Sequence, residues 1–477
     1  MRTGGTVARS TRRDWIIMLT RRTFLATSSA FAGMSASAGF ANAPPTNLIA
    51  QESDVQLLPG DYGKTALWCF DGGSPGPEIR VAQGGRVKRR LINRFSQGTS
   101  VHWHGIRIDN AMDGVSGLTQ AAVQPGDAFD YDFAVPDAGT YWYHAHNRSF
   151  EQVARGLYGA LIVEEADTLD IDREEVLVLD DWLIDPETGQ LKDDYGAPHD
   201  LSHAGRLGNL VTANGTFNLT LAARKNERLR LRLINASNAR IFQLGLNGFD
   251  SWVIAMDGMP LGAPRKVTDT LALAPAQRID LIVDVTADVG ETAFVVQLER
   301  EEAIGLAAFE VAEGGSVNRR DAPTALPPNG HAMVDLKEAT QLNLSMEGGA
   351  MGRLSAASLG GQVKPMGELV QAGYFWSFNG AVDGIDGDPF ALLERGQNVR
   401  VKIENDTVFP HAMHLHGMHF HEVADDGTLG PLRDTTLLVR GQTREIAFVA
   451  DNPGQWLLHC HMLSHAASGM MTKVVVA

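Results

Sequence analysis

The sequence predicts an all-β protein built from three β-sandwich domains of similar design, and three observations support this. Polar and apolar residues alternate through 48–165 between glycine- and proline-containing turns, as in antiparallel sandwiches. One segment recurs at 87–93, 229–235 and 399–405, and each copy ends in an asparagine that can begin a turn. Segments with helical periodicity are few, and a length of 477 residues suits about three domains.

The spacing of the recurring segment sets the predicted domain boundaries. The copies lie 142 and 170 residues apart, which indicates three units of comparable size. We expect a first domain over 44–165, a second over 166–315 and a third over 336–477. The stretch 316–335, rich in proline, asparagine and arginine, is predicted to be a linker.

Composition narrows the class of protein. The hydrophobic content of 44% and the charged content of 21% are those of an ordinary globular chain that can bury several cores. The formal net charge is −16, and residues 1–43 carry six arginines and one acid, so the remainder is more acidic still. This charge argues against nucleic acid or an anionic membrane surface as a partner.

The first 43 residues have the features of an export signal. Thr20–Leu25 has the arrangement of a twin-arginine motif and is followed by a weakly apolar run that ends in Ala41-Asn42-Ala43. The run is too interrupted for a membrane anchor, so we expect a periplasmic or secreted protein that is exported folded and cleaved after Ala43. Met18 as an alternative start and a second arginine pair at Arg12-Arg13 leave the true start open.

Metal-binding residue types concentrate near the C-terminus. His459, Cys460 and His461 are adjacent, and His465 and Met470 follow. In a strand, neighbouring side chains point to opposite faces, so the two flanking histidines face one side and the cysteine faces the other. A thiolate with imidazoles and a weak thioether is the donor set of a blue-copper electron-transfer site. That site needs one more histidine, and the flanking pair points at something else.

The rest of the chain supplies the missing histidine of the blue-copper site and further imidazoles that could lie opposite His459 and His461. Histidines recur in four His-x-His pairs, and each pair presents both imidazoles to one face of a strand. Eight imidazoles are too many for one ion and suit a cluster of three, while the remaining His411 completes the blue-copper set. The pairs are His102 and His104, His144 and His146, His414 and His416, and His459 and His461.

The pairs follow the internal repeat. His102 and His104 lie nine and eleven residues after Asn93, and the third-domain pair lies at the same distances after Asn405. The second domain has Leu244 and Leu246 at these positions. The first and third domains are therefore predicted to share the cluster at their interface, and the second domain is predicted to be a spacer without ligands.

Four motifs in this chain resemble those of the multicopper oxidases: HWHG at 102–105, YWYHAH at 141–146, HAMHLHG at 411–417 and HCHMLSHAASGM at 459–470. The resemblance covers nearly all of the chain after residue 43 and implies cupredoxin-like Greek-key sandwiches and four copper ions. It implies one type 1 ion held by His411, Cys460, His465 and Met470, and one type 2 ion held by His102 and His414. The type 3 pair would take His104, His144, His146, His416, His459 and His461.

The resemblance also implies a reaction. Single electrons from a reducing substrate would reach the blue copper and pass through Cys460 to His459 and His461, and four of them would reduce one dioxygen to two waters. Met470 as the axial ligand suggests a low-to-moderate potential, suited to electron-rich phenols and aromatic amines. A zinc site would not need eight further imidazoles, and a copper nitrite reductase would lack the His-Cys-His link.

Dioxygen reduction consumes protons, so an acid near the cluster is expected. Asp113 matches the acidic position that follows the HWHG motif in many relatives, and a turn aspartate before glycine is the alternative reading. Many relatives carry a second carboxylate near the last copper histidine, where this chain has Leu463 and Ala466. The second proton donor is therefore left without a candidate.

Two other functions compete with a laccase-like oxidase of phenolic or aromatic donors. A cuprous oxidase for copper tolerance would be expected to carry more methionine than Met346, Met351 and Met366 provide over 345–372. A non-enzymatic exported protein of the same fold would not need all twelve ligand positions filled. The donor and the oligomeric state are not fixed by the sequence.

The other cysteine and histidines are predicted to be structural. Cys69 lies in an apolar stretch and is expected to be a buried, inert thiol. His419 and His421 are expected in the core or behind the ligands, and surface or loop positions are expected for His199, His203 and His331.

Overall fold

β-Strands joined by tight turns are the main secondary structure of the described residues. The computed structural model describes residues 44–300, 302–315 and 318–477, so the predicted export signal lies outside the described residues. Helices in the described part are short, which confirms the all-β class, and none of them is long and apolar enough to span a bilayer. They are α1 Ser149–Gln152, α2 Pro198–Ser202, α3 Met366–Gln371, α4 Leu463–Ala467 and the 3-10 turns Asn110–Met112 and Gly384–Asp386.

The first third of the described chain forms two four-stranded sheets, with strand orders β2-β1-β4-β6 and β3-β8-β7-β5. Two sheets with alternating inward residues make a sandwich. The strands are β1 Thr46–Val55, β2 Thr65–Phe70, β3 Ile79–Ala82, β4 Arg86–Asn93, β5 Val101–His104, β6 Ala128–Ala134, β7 Gly139–Ala145 and β8 Tyr158–Glu164.

The middle third forms a six-stranded and a five-stranded sheet, ordered β10-β9-β12-β17-β14-β15 and β11-β19-β18-β13-β16. Leu244 lies in β13 and is buried in the core of this third, in agreement with the predicted loss of ligands there. The strands are β9 Arg173–Trp182, β10 Leu210–Ala213, β11 Leu219–Arg224, β12 Arg228–Asn235, β13 Phe242–Asn247, β14 Phe249–Met256, β15 Met259–Lys266, β16 Leu271–Leu273, β17 Arg278–Val285, β18 Thr292–Glu299 and β19 Glu302–Ala312.

The last third forms a six-stranded sheet β23-β20-β25-β30-β27-β28, a five-stranded sheet β24-β32-β31-β26-β29 and the small hairpin β21-β22. Its strands are β20 Thr340–Gly348, β21 Ala356–Leu359, β22 Gln362–Pro365, β23 Trp376–Phe378, β24 Ala391–Leu393, β25 Gln397–Asn405, β26 His411–Leu415, β27 Phe420–Val423, β28 Leu429–Arg433, β29 Thr435–Leu438, β30 Thr443–Ala450, β31 Gly454–Cys460 and β32 Met471–Val476.

The recurring segment occupies the same place in all three thirds. Strands β4, β12 and β25 pair in parallel with β1, β9 and β20 and antiparallel with β6, β17 and β30. The asparagine that ends each copy accepts from the backbone N–H two residues later, at 2.8 Å for Asn93 and 3.0 Å for Asn235 and Asn405. This shared turn confirms the internal repeat.

The histidine pairs lie on adjacent antiparallel strands in the first and last thirds. His102 on β5 is opposite His144 on β7, and His414 on β26 is opposite His459 on β31. Buried apolar side chains of the two thirds, such as Trp103 and Met413, belong to one continuous core, whereas the middle third has its own. The two histidine-bearing sheets are therefore held together by a shared core.

Candidate metal centres

Three donor atoms from β26, β31 and α4 form a small triangle. The Nδ1 atoms of His411 and His465 lie 3.1 Å apart, and the Cys460 Sγ lies 3.7 and 3.8 Å from them. All three side chains are fully buried. Three donors about 2.0–2.3 Å from a shared ion in one plane lie roughly 3.5–4 Å apart, so the triangle has the size of a site for one ion.

Hydrogen bonds behind the triangle fix which ring nitrogens face it. The Nε2–H of His465 donates to the backbone carbonyl of His203 at 2.7 Å. The Nε2–H of His411 donates to the Thr407 hydroxyl at 2.8 Å, because that hydroxyl donates its own proton to Asn405 at 2.7 Å. Both Nδ1 atoms therefore direct lone pairs towards each other at 3.1 Å, an arrangement that a bound cation stabilises.

The triangle is neutral without a metal. Burial raises the pKa of the Cys460 thiol to about 12 and lowers the pKa of His465 to about 4. A cation would therefore displace the thiol proton as it binds. Met470 is fully buried, and its backbone carbonyl accepts from the N–H of Cys460 at 3.0 Å.

The paired histidines converge on the opposite face of β31. His102 stacks on His416 with ring centroids 3.9 Å apart, and His104 stacks on His414 at 3.7 Å. In both stacks, the first histidine of a pair lies on the second histidine of the pair from the other third of the chain. Exchanging the two thirds would interchange the stacks, so the arrangement has pseudo-twofold symmetry. All eight predicted residues lie in this cluster: His102, His104, His144, His146, His414, His416, His459 and His461.

The nitrogen atoms in the cluster are close enough to share ions. Ligand atoms lie within 4.8 Å of one another in three all-histidine triples: His102, His104 and His144; His102, His414 and His416; and His146, His416 and His459. Because the triples overlap, the cluster suits several neighbouring ions rather than one.

Two buried aspartates, Asp113 and Asp434, lie beside the cluster and contact its histidines in equivalent ways. The backbone carbonyl of Asp113 accepts from His102 Nδ1 at 2.8 Å, and its carboxylate accepts from His416 Nδ1 at 3.0 Å. The backbone carbonyl of Asp434 accepts from His414 Nδ1 at 2.9 Å, and its carboxylate accepts from His104 Nε2 at 3.1 Å. Each aspartate thus orients one imidazole from each third of the chain.

Several inward nitrogens of the cluster have no hydrogen-bond partner among the described residues. His102 Nε2, His104 Nδ1, His146 Nε2 and His414 Nε2 are buried without a hydrogen bond. His416 and His459 donate their Nδ1 protons outward, so their Nε2 lone pairs face each other at 3.1 Å. Burial lowers the pKa of His416 and His459 well below the ordinary range, so both stay neutral. Lone pairs held together in this way fit a cluster of imidazole-ligated cations.

The middle third reaches this cluster through Arg278, the first residue of β17. Its guanidinium donates to both carboxylate oxygens of Asp434, at 2.9 and 2.6 Å, and to the Thr140 carbonyl at 3.1 Å. Arg278 is fully buried. Burial alone would raise the pKa of Asp434, but Arg278 and His104 hold it well below the usual range. The predicted spacer therefore contributes a charge beside the cluster.

A cavity of about 210 Å³ opens on the histidine cluster. His146 and His459 line it, and so do Leu463 and Ala466, the positions near the last copper-site histidine where a second carboxylate would be expected. No carboxylate is among the described residues that line this cavity. A small molecule could reach the cluster here.

The structure places the remaining predicted residues as follows. Cys69 is buried and unpaired, and burial raises its pKa to about 12, as expected for an inert thiol. His419 is buried, and His421 is half-buried. His199 is exposed, and His331 lies in a loop, as expected, where its side chain is 13% exposed and its Nε2 lies 3.5 Å from the Asp137 carboxylate.

Sequence reasoning did not identify Asp434, Arg278, Thr407 or the carbonyl of His203. The signal available for Asp434 was weak: a lone acid in Arg433-Asp434-Thr435 between two strands. Asp113 could be found because it follows a histidine pair closely, whereas Asp434 lies twenty residues after His414.

A sandwich fold with a buried His-His-Cys triangle and a neighbouring imidazole cluster defines a copper protein of the cupredoxin type. Family models described as multicopper oxidase match residues 51–168, 173–312 and 363–477. The chain belongs to the multicopper oxidase family.

Individual relatives agree with this assignment. The chain is 30% identical to multicopper oxidase MmcO of Mycobacterium tuberculosis over 84% of this chain and 81% of that protein. It is 30% identical to Laccase-1 of Botryotinia fuckeliana, over 85% and 78%, and 28% identical to copper resistance protein A of Pseudomonas syringae pv. tomato, over 87% and 90%. The crystal structure of a multicopper oxidase from Pseudomonas thermotolerans superposes with a TM-score of 0.79 at 33% identity, covering 91% of this chain and 99% of that one.

The family and its solved structures confirm three cupredoxin-like domains, although the exact domain boundaries stay predictions. They also make the protein an oxidoreductase that uses copper, and the donor set described above fits that metal.

Proposed function

We propose that the protein couples the one-electron oxidation of small electron-rich aromatic donors to the four-electron reduction of dioxygen to water. One observation carries the proposal. Cys460 lies in the mononuclear triangle while its chain neighbours His459 and His461 lie in the histidine cluster. A single strand therefore links a site suited to one-electron chemistry directly to a site that can hold several ions.

We assign four copper ions to the two sites. His411, Cys460 and His465 would hold the mononuclear ion, and Met470 would be a further, weak ligand. His102 and His414 would hold the type 2 ion, and the type 3 pair would take His104, His144, His146, His416, His459 and His461. Copper bound there supplies one-electron transfer at the mononuclear site and the reduction of dioxygen at the cluster.

The protein's own groups have three tasks in this proposal. Asp113 and Asp434 hold imidazoles by their outer nitrogens, which fixes the direction of each inward lone pair. Burial of the cluster excludes bulk water, and the cavity beside His146 and His459 is large enough for dioxygen. Asp113 is fully buried against His416, so we assign it to hold a proton for the water that forms.

We also propose that the protein works outside the cytoplasm. The twin-arginine motif at Thr20–Leu25 supports export after folding, and copper could then be loaded before or after transport. The reducing substrate and dioxygen would be its small-molecule partners.

Oxidation of Cu(I) is the second candidate. Copper resistance protein A is among the relatives, and Met351 is 78% exposed on the third domain, where a thioether could meet a soft ion. One exposed methionine in this region is a thin donor set, so aromatic donors remain the preferred proposal.

Oxygen uptake by the copper-loaded protein tests both candidates. We expect uptake with a dimethoxyphenol, and a Cys460→Ser variant that has lost the blue absorption should consume no oxygen with it. Oxygen uptake measured in parallel with Cu(I) as the donor tests the second candidate. Uptake with Cu(I) but not with the phenol would favour that candidate over the first. If neither donor drives oxygen consumption above the Cys460→Ser background, the proposed function is wrong.

A further inference from the structure

The outward nitrogen of His465 is not available to a donor molecule. Its Nε2–H donates to the His203 carbonyl at 2.7 Å, and the residue has no exposed surface. Gly205 lies over the same atom, since a Cβ built there would be 4.0 Å from His465 Nε2. A donor that delivers electrons to the mononuclear site must therefore contact whatever covers His465.

The cover is residues 198–206, which we call the strap. Three consecutive carbonyls of the strap accept hydrogen bonds from the third domain. Leu201 accepts from the Trp376 indole N–H at 2.6 Å, Ser202 accepts from the Ala350 N–H at 2.7 Å, and His203 accepts from His465. The strap is therefore fixed against the mononuclear site on its inner side.

The far end of the strap is also fixed. Arg206 is 5% exposed and donates to Asp194 at 2.7 Å and to Asp200 at 3.1 Å. With both its inner carbonyls and its terminal arginine engaged, the strap is a built part of the site rather than a loose loop.

The outer side of the strap is aromatic. His199 is exposed and stacks on the half-buried His203 with ring centroids 4.2 Å apart and an interplanar angle of 11°. The rings of Phe409 and His203 meet edge to face, with their centroids 5.8 Å apart. Behind them, the ring centroid of Trp376 lies 5.8 Å from that of Phe409 and 4.4 Å from that of His465. Flat π-surfaces of this kind favour a planar aromatic partner.

We propose that aromatic donors dock on the His199 and His203 rings and that the electron reaches His465 through the His203 carbonyl. This rests on the proposed function and names where its substrate binds. A phenol would lose one electron and release its hydroxyl proton to water, leaving a phenoxyl radical. The electron would reduce one cupric ion held by His411, Cys460 and His465 to the cuprous state.

The path is short and continuous. The stacked His203 ring and the His203 carbonyl belong to one residue, and the carbonyl is hydrogen-bonded to a ligand of the mononuclear site. Substituting the ring leaves this carbonyl in place. The docking surface can therefore be altered without removing the hydrogen bond that orients His465.

The test measures how fast a dimethoxyphenol bleaches the blue absorption of the oxidised holoenzyme without oxygen. We expect His203→Ala and His199→Ala to lower the second-order rate constant about tenfold, the loss of roughly one stacking contact. His203→Phe should restore most of the rate because it keeps a ring. The blue absorption band and the redox potential should stay unchanged in all three variants. Tyr62→Ala, which removes an exposed aromatic ring from the turn between β1 and β2, is the control.

A second measurement does not depend on turnover. Diethyl pyrocarbonate acylates accessible imidazoles, and peptide mapping reports which histidines react. We expect dimethoxybenzene, which has no phenolic proton, to slow acylation of His199 and His203 and to leave His421 unaffected.

Three outcomes would overturn the proposal: both alanine variants bleach at the wild-type rate, dimethoxybenzene protects neither imidazole, or the loss of rate is confined to Cu(I) as donor. Each of these can occur while the wild-type protein consumes oxygen with the phenol. The failure of this inference is therefore distinguishable from failure of the proposed function.

Discussion

Backbone carbonyls orient five imidazoles of the two candidate sites, four in the histidine cluster and one in the mononuclear triangle. Each of these rings donates its outer N–H to a carbonyl, which leaves the other nitrogen as a lone-pair donor towards the site. In the cluster, the pairs are His102 with the Asp113 carbonyl, His144 with Ala145, His414 with Asp434, and His459 with Cys460. In the triangle, His465 donates to the His203 carbonyl. A carbonyl has no charge to titrate, so these five hydrogen bonds are not lost through protonation of the acceptor.

Met470 provides a prediction at the scale of one residue. Met470→Leu replaces the proposed axial thioether with a hydrocarbon of similar volume, so the cost in folding free energy should be below about 1.5 kcal/mol. Loss of a weak electron-donating ligand destabilises the cupric state more than the cuprous state, so the potential of the mononuclear site should rise. A redox titration that follows the blue absorption checks this.

Met462 is a matched control, since it is equally buried and close in sequence. Met462→Leu should leave the potential unchanged. A potential unaltered in Met470→Leu, or raised equally in both variants, would count against the axial assignment.

The sequence predicted which residues come together in the two candidate sites because their spacing carries the information. A His-x-His pair in a strand presents both rings to one face, and four such pairs could be recognised without any tertiary structure. The partners of these rings could not be predicted in the same way. Asp434 and the His203 carbonyl are brought to the ligands by folding, and nothing in their local sequence distinguishes them from other turn residues.

Among elements, β31 and the segment after it do most to organise the sites. Strand alternation puts His459 and Cys460 on opposite faces, and α4 then turns His465 back beside the cysteine. The alternation was predictable from period-two geometry, whereas the return through a five-residue helix was not, because Leu463–Ala467 is too short for a helical periodicity.

The predicted linker, residues 316–335, contains a residue that makes stability depend on pH. His331 packs beside Asp137 and His419, and burial lowers its pKa to about 4. The unfolded chain takes up a proton near the ordinary histidine pKa of about 6.5, so it binds more protons than the folded chain between the two values. Stability contributed by neutral His331 is therefore complete above about pH 6.5 and is lost as the pH falls towards 4.

His331→Gln removes this linkage. We expect the wild-type protein to lose about 2 to 3 kcal/mol more unfolding free energy than the variant between pH 7 and pH 4.5. Denaturant titrations at the two pH values measure the difference. Exposed His199 is the control residue, since His199→Gln should follow the wild-type pH profile. Parallel profiles for wild type and His331→Gln would show that His331 is not the group responsible.

At the scale of the whole molecule, all three thirds of the chain meet at one carboxylate. Asp434 belongs to the last third, accepts from His104 of the first and is paired with Arg278 of the middle third. The sequence predicted that the middle third lacks ligands, but it could not show this contact. Arginines also recur along β12 as Arg228, Arg230 and Arg232, and nothing in the sequence separates Arg278 from these structural ones.

Arg278 differs from the arginines of β12 because its aspartate partner also holds an imidazole of the cluster. An arginine of β12 can therefore serve as the control in a test of Arg278. Arg278→Gln and Arg228→Gln each leave a buried aspartate without its arginine partner, Asp434 in one case and Asp284 in the other, and each should cost about 3–5 kcal/mol of stability. Only Arg278→Gln disturbs a carboxylate that holds a cluster imidazole. We therefore expect Arg278→Gln alone to lose cluster copper and oxygen reduction while it keeps the blue absorption of the mononuclear site. Metal analysis and the absorption spectrum, compared at equal folded fraction, measure this. Equal losses of cluster copper in the two variants would mean that the middle third acts on the cluster only through overall stability.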